Sequence, residues 1–328
     1  MLVIRGGLKM NIIERISKDL EVPGILVESA LKNPFGECKI LEIPKRNGSG
    51  FRRVYHPSVK LKLVQTWLST VVFSKLPVSP IASAYVKGKS IVDNARAHSR
   101  FRYSIRVDIE NFFGSIKLED LVLTLNRNER FIGDVYCLDG FFDVLRKSCF
   151  SRENYLLIGY TTSPIVSNAV MCDWDNELLS LLKKEFGGGE RFCLTRYSDD
   201  FVFSTNEKGA CRRFFRSFKA FCESRSSPSL RVNENKTRFM SSMHGAMITG
   251  LLVNKEGDVR VSRKYRDGVR LLLSLYKKGR LKSEDFEKLS GHLSFVSYAD
   301  PKFFTSLSYR YYEEIDRLKH LSLGESVK

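Results

Sequence analysis

Thr195-Arg196-Tyr197-Ser198-Asp199-Asp200-Phe201-Val202-Phe203-Ser204 sets two adjacent carboxylates between two short apolar runs. Phe192, Leu194 and Arg196 alternate ahead of the pair and Phe201 and Phe203 after it, so the segment reads as a β-hairpin with the aspartates at its tip. Asp favours tight turns and tolerates left-handed backbone angles, which makes ordinary turn residues one reading of the pair. The other reading is a metal site. Like charges a few ångströms apart raise each other's pKa, so keeping both ionised calls for a cation, and a hairpin tip is a stiff mount for its ligands.

A further carboxylate is offered by Arg106-Val107-Asp108-Ile109-Glu110-Asn111-Phe112-Phe113-Gly114. Asp108 closes a strand-like run from Tyr103 and precedes an aromatic pair and a Gly-Ser turn signal. It reads as the N-cap of a short helix, as a third ligand, or as both.

Between these two segments stands Gly159-Tyr160-Thr161-Thr162-Ser163-Pro164-Ile165-Val166-Ser167-Asn168. The ordered set resembles the bacterial reverse transcriptases: Tyr197 to Asp200 is similar to their Tyr-x-Asp-Asp motif, Asp108 to Phe113 to their first aspartate motif, and Gly159 to Asn168 to the Gly-x-x-x-Ser-Pro segment between. Two more matches are specific to the retron group. Asn94-Ala95-Arg96-Ala97-His98 is similar to its Asn-Ala-x-x-His motif, and Ile248-Thr249-Gly250 to its Val-Thr-Gly, with one conservative change. The motifs span roughly residues 45 to 255.

That resemblance implies an α+β fold, the right-hand polymerase with fingers, a palm of antiparallel sheet backed by helices, and a helical thumb. The expected division is an N-terminal helical element at 1–40, fingers and palm at 41–255, and a basic thumb at 256–328. It also implies RNA-directed DNA synthesis assisted by two Mg²⁺ ions, with Mn²⁺ as a substitute. Two-metal sites place their ions roughly 3.5 to 4 Å apart to clamp the attacking and leaving oxygens, and oxygen-only ligands suit hard cations. Asp108, Asp199 and Asp200 would supply the carboxylates and the Ile109 carbonyl a further ligand. The implied template and primer are one cognate noncoding RNA, begun from a guanosine 2′-hydroxyl and copied into single-stranded msDNA from dNTPs. An antiphage role with an effector protein goes with the group, and no added ribonuclease H or endonuclease signature is visible.

Composition agrees with a polyanionic partner. The net charge is +17 and the pI about 9.6, which draws a chain toward nucleic acid or an acidic membrane surface. No window approaches the roughly 18 apolar residues of a membrane span, and the start lacks a signal-peptide core, so a cytoplasmic protein that does not enter a membrane is expected. Seven cysteines without a Cys-x-x-Cys pair argue against a disulfide framework or a zinc site.

Apolar spacing predicts helices on either side of Pro23-Gly24, over 58–76 with Trp67 as packing, over 119–150, and from Trp174 to Phe186 up to the Gly187-Gly188-Gly189 run. Met10 is a possible internal start. Ile43 to Tyr55 reads as a basic hairpin about Asn47-Gly48-Ser49-Gly50. It is either a solvated surface feature or, by resemblance, the fingers cover of the incoming triphosphate, with Arg52 in contact and Lys45 and Arg53 behind. Guanidinium suits the task because its fork bonds phosphate oxygens in pairs. From Arg260 to Lys282 nine Lys or Arg face one acid, Asp267. A basic amphipathic helix there, including Arg263, Lys264 and Arg270, serves solubility, a membrane surface, or a thumb gripping duplex phosphates.

The remaining site assignments come from the resemblance. Phe113 falls where the family carries an aromatic under the sugar, which would reject a ribose 2′-hydroxyl, while Phe112 fills the core. Gly159 would contact substrate through backbone and shape, because Ile158 replaces the Gln that many relatives carry there. Lys236 resembles a palm lysine near the leaving pyrophosphate, or is an exposed loop lysine. Asn94, His98, Thr249 and Gly250 would recognise the cognate RNA, the alternative for His98 being a buried, hydrogen-bonded side chain. An intron-type or diversity-generating reverse transcriptase and a noncatalytic RNA scaffold are the competing functions.

Overall fold

The computed structural model describes residues 10–36, 38–44, 50–188 and 190–322. Lys45, the turn at 47–49 and the stretch ahead of Met10 lie outside the described residues. The chain opens with α1 (Ile12–Leu20) and α2 (Gly24–Lys32). Asn11 caps α1: its side chain accepts from Ile13 N–H, and Glu14 reaches back to Asn11 N–H, which satisfies donors the helix leaves unpaired. Ile12, Ile16, Val27 and Leu31 enter the same core as the later sheet, so this element is packed into the body of the protein.

β1 (Lys39–Pro44) and β2 (Phe51–His56) pair antiparallel as the fingers hairpin, Pro44 opposite Phe51. α3 (Val59–Val71) buries Trp67, whose indole N–H donates to Asp19 at 3.0 Å, so this ring is packing. α4 (Ile91–Ala97) begins at a Ser90–Asp93 capping box and ends at His98. β3 (Tyr103–Ile109) follows, then α5 (Phe112–Ser115), α6 (Leu118–Arg127), α7 (Glu129–Ile132) and α8 (Phe141–Cys149). The run expected as helical over 119–150 thus breaks into pieces, one of them ending at Gly133, whose φ is +71. α9 (Ser163–Phe186) starts well ahead of Trp174 because Pro164 sits in its first turn, where a missing N–H costs nothing.

β4 (Phe192–Tyr197), β5 (Asp200–Thr205), α10 (Ala210–Glu223) and β6 (Val232–Ser241) complete the palm. Its sheet has the order β4-β5-β3-β6 and is antiparallel throughout. One face buries Phe201, Phe203, Ile105 and Val107 against α9 and α10, where the Phe203 ring stacks on Phe214 at 4.4 Å and Trp174 meets Phe221 edge-on. The other face turns Ser104, Arg106 and Asp108 of β3, with Asp200, Val202 and Ser204 of β5, toward α4 and the cleft.

A second, three-stranded sheet, β7 (Ala246–Ile248), β8 (Leu251–Val253) and β9 (Val259–Val261), leads into α11 (Arg263–Lys277), α12 (Phe286–Ala299), α13 (Pro301–Arg310) and α14 (Tyr312–Ser322). Ile248, Leu251, Val253 and Val261 share a core with Val269, Leu273, Val296 and, from α4, Val92 and Ala95. The boundary expected after residue 255 therefore falls inside this sheet, between β8 and β9, because the sheet buries its apolar face on the thumb helices. Among the described residues no helix is long and apolar enough to cross a membrane.

Candidate active site

Asp108, Asp199 and Asp200 meet because of strand register. β3 and β5 pair with Asp108 directly opposite Asp200, while Tyr197 pairs with Asp200, leaving Ser198-Asp199 as a two-residue turn. Ser198 carries φ +59, the positive angle that primed hairpin turns need at their first central position. Ile109 N–H donates to the Asp199 carbonyl at 3.0 Å, which ties the end of β3 to the turn. Beneath, Arg196 is fully buried on the apolar face and bonds both oxygens of Asp175 on α9, at 2.8 to 3.0 Å, while its other nitrogen reaches Asn168 at 3.2 Å and the Ser198 carbonyl at 3.4 Å. Asn168 in turn donates to the Ala84 carbonyl. The turn is thus braced from below by the helix that the Ser163-Pro164 motif starts.

Electrostatics leave the cluster short of positive charge. Burial pushes Asp200 up to about 6, opposed by the Arg106 guanidinium at 3.9 Å and reinforced by Asp199 and Asp108. Burial also raises Asp199, with Asp108 adding to it. Lys236 places Nζ 3.0 and 3.2 Å from the two oxygens of Asp108. It sits on β6, where the β3–β6 register shifts between Arg106 and Asp108, an irregularity of the kind that re-aims side chains beside active sites. The loop reading of Lys236 is corrected by this placement. In this conformation no group of three His, Cys, Asp or Glu side chains among the described residues is arranged to hold an ion. The donor set nevertheless fits a hard divalent cation: oxygen ligands only, two carboxyls raised by burial and mutual repulsion, and an ammonium neutralising the third.

Asp199 and Asp200 floor a cleft of about 1220 Å³, with Asp108 buried beside them. Arg52 and Arg53 of the fingers hairpin, Tyr85, Arg106, Ile109, Phe113, Ile158, Lys236, Met247, Thr249 and Gly250 line it. Phe113 is half-buried at the cleft and Phe112 is buried, as expected, but not through an extended chain: Asn111, with φ +46, starts a helical turn and the two rings meet edge-on at 5.4 Å. Gly159 is not among the lining residues. A Cβ there would run into the Tyr55 carbonyl and Val54, and Tyr55 N–H bonds the Ile158 carbonyl at 2.7 Å, so this glycine lets the fingers hairpin approach the palm.

Asn94 and His98 are corrected as well. They are 2% and 1% exposed, so neither offers a surface to a nucleic acid, and the buried Asn94 amide finds no hydrogen-bond partner among the described residues. His98 has the buried, hydrogen-bonded setting: Nε2 lies 2.8 Å from Thr195 Oγ1 and Nδ1 2.8 Å from Ser204 Oγ. Thr249 and Gly250, both at positive φ, form the tight turn between β7 and β8, and the Thr249 hydroxyl donates to the Ile91 carbonyl. On α11, Lys264 is exposed and Arg263 is 97% exposed at its side chain, 3.9 Å from Asp267 at its nearest, whereas Arg270 is engaged by Asp267 at 2.9 Å and lies over the Phe303 ring.

Arg106, Tyr85 and the Arg196–Asp175 pair escaped the sequence reading. A signal existed for Arg196: a cation on the apolar face of an alternating strand requires a buried counter-ion.

Solved structures similar to the chain include telomerase from Candida albicans in complex with a TWJ fragment of telomeric RNA (TM-score 0.45, 13% identity, covering 86% of this chain and 59% of that one) and apo telomerase from Candida tropicalis (0.47, 14%, 88% and 62%). Relatives by sequence are retron Ec73 reverse transcriptase of Escherichia coli, 36% identical over 284 residues, covering 85% of this chain and 89% of that protein, and retron Ec83 reverse transcriptase of Escherichia coli, 29% identical over 299 residues, with 89% and 92% covered. Retron Mx162 reverse transcriptase of Myxococcus xanthus is 32% identical over 282 residues, 79% of this chain and 57% of that one. The family described as reverse transcriptase (RNA-dependent DNA polymerase) matches residues 43–272. With its carboxylates, cleft and hairpins in place, the chain belongs to the retron reverse transcriptases, RNA-directed DNA polymerases of right-hand fold that depend on a divalent metal and an RNA template.

Proposed function

We propose that this enzyme copies part of one cognate noncoding RNA into single-stranded msDNA, priming from an RNA guanosine 2′-hydroxyl, and that it works in the cytoplasm with an effector protein in antiphage defence. The observation that carries the catalytic part is the register that sets Asp108 opposite Asp200 with Asp199 in the adjoining turn. Asp108, Asp199 and Asp200, with the Ile109 carbonyl, would hold two Mg²⁺ ions, or Mn²⁺ in their place. When bound, such ions supply Lewis-acid stabilisation of the attacking and leaving oxygens.

The chain's own groups do the rest. Arg52, on the fingers strand facing the carboxylates across the cleft, binds the triphosphate of an incoming dNTP through paired hydrogen bonds. Phe113 closes the space a 2′-hydroxyl needs. Lys236, drawn to Asp108 in this conformation, is within reach to screen the leaving pyrophosphate or carry a proton to it. Arg263 and Lys264 grip the duplex phosphates from the thumb. Thr249 and Gly250, which line the cleft, are the retron-type motif residues that would meet RNA.

Primer extension on a primed RNA with Mg²⁺ tests the reading. Wild type should extend, and Asp199→Asn should lose about 10²-fold or more, the scale of removing one electrostatic stabiliser of a transition state. Wild-type inactivity on every primed RNA would favour the noncatalytic scaffold. Sequencing the nucleic acid that copurifies should reveal a branched RNA–DNA species, and its replacement by unbranched cDNA would refute the priming mode.

A further inference from the structure

His98 ends α4 against the palm sheet, and its two nitrogens bond Thr195 on β4 and Ser204 on β5. The Ser204 hydroxyl lies 2.8 Å from that of Ser104 on β3. All four side chains are buried. They form one hydrogen-bond chain across the three strands that carry or adjoin Asp108, Asp199 and Asp200.

Its place in the ladder gives it a meaning. Ser104 pairs with Ser204 in the same register that pairs Asp108 with Asp200. Residues four apart on a strand share a face, so the polar chain lies on the carboxylates' own face, roughly 13 Å back along the strands at about 3.3 Å per residue. A slip of one residue would send Ser104 and Asp108 together to the opposite face. Burial pushes His98 down to about 3, so the ring is neutral, with one N–H to donate and one lone pair to accept. Two hydroxyls match that demand, one in each sense.

α4 is also fastened to the thumb. The Thr249 hydroxyl donates to the Ile91 carbonyl at 2.9 Å, Tyr298 of α12 places its hydroxyl 2.9 Å from Ser90 Oγ, and Val92 and Ala95 belong to the thumb core. One short helix therefore touches the strands that mount the carboxylates and the elements that would hold the duplex.

We propose that His98 is a positioning residue, which locks β3, β4 and β5 in the register that sets Asp108 opposite Asp200 and holds that register fixed against the thumb through α4, without contacting nucleic acid. This rests on the polymerase reading above. Single-turnover addition of one dNTP to a primed RNA, at saturating enzyme, separates rate from affinity. Thr195→Val keeps the volume and removes the hydroxyl that Nε2 meets; Thr195→Ser restores it; His98→Ala removes the link entirely. A misplacement of about 1 Å costs up to ~10²-fold in rate, so Thr195→Val should slow addition by roughly tenfold while the Kd for primed RNA stays within about twofold. Thr195→Ser should recover the wild-type rate, and His98→Ala should match or exceed the valine defect. Wild-type rate in Thr195→Val, or weakened RNA binding with an intact saturated rate, would overturn the proposal in favour of a packing or a recognition role. Failure of the wild type to extend any primed RNA would instead overturn the polymerase reading, and this proposal with it.

Discussion

Asp108 and Asp200 face each other across a ladder, and the surrounding residues divide into those that brace the adjoining turn from below and those that line the cleft. Arg196 belongs to the first kind. It is fully buried with Asp175, and removing one partner of such a pair strands the other charge at about 3 to 5 kcal/mol. Asp175→Asn should therefore lower stability by that order in urea unfolding, whereas a cost under about 1 kcal/mol would place the pair among the weak surface bridges. Phe113 belongs to the second kind. Phe113→Ala should raise ribonucleotide incorporation in single-nucleotide extension, and unchanged sugar discrimination would remove the ring from that role. The carboxylates were legible in the sequence because paired acids in an alternating apolar context are rare and ordered motifs flank them. Asp175 was not: it lies on α9 among other acids, and only the fold shows which one Arg196 meets.

Elements came through where period and caps agreed. The hairpins at β1–β2 and β4–β5 follow from alternation and turn residues, and α3 from its stripe. α4 was visible as a motif but not as a structural strut, because the partners of His98 are about a hundred residues distant and hydroxyl pairs leave no periodic trace. Its burial has a measurable sign. Folded His98 holds a pKa of about 3 against an ordinary 6.5, so between those values the unfolded chain binds the extra proton. Stability contributed by the neutral ring is whole above pH 6.5 and is lost as pH falls, by up to about 1.4 kcal/mol per unit. Unfolding in urea at pH 7 and pH 5 should cost the wild type about 2 kcal/mol more than His98→Gln, after the same correction for the other groups. Equal losses would mean that His98 titrates normally in the native state.

At the scale of the whole molecule, a net charge of +17 meets a fold whose thumb presents exposed cations on α11. Arg263→Glu with Lys264→Glu should weaken binding of primed RNA and flatten the slope of log affinity against log salt by about one for each phosphate no longer neutralised. Arg270→Ala should change that slope less, since Asp267 and Phe303 already occupy its side chain, and a slope unchanged by all three would place the duplex elsewhere. Charge and periodicity made a basic helical thumb legible, but not its extent, because the short strands of the second sheet carry too few residues to show alternation. That extent bears on how such enzymes can be recombined. The thumb core draws β7 to β9 from one side of residue 255 and the other, and Val92 and Ala95 from upstream of the palm strands. A chimera with a single crossover, wherever it falls between α4 and α11, would join one parent's seam to the other's. Only an exchange with two crossovers, carrying α4 together with residues from Ala246 onward, transplants a thumb with the surface it was packed against.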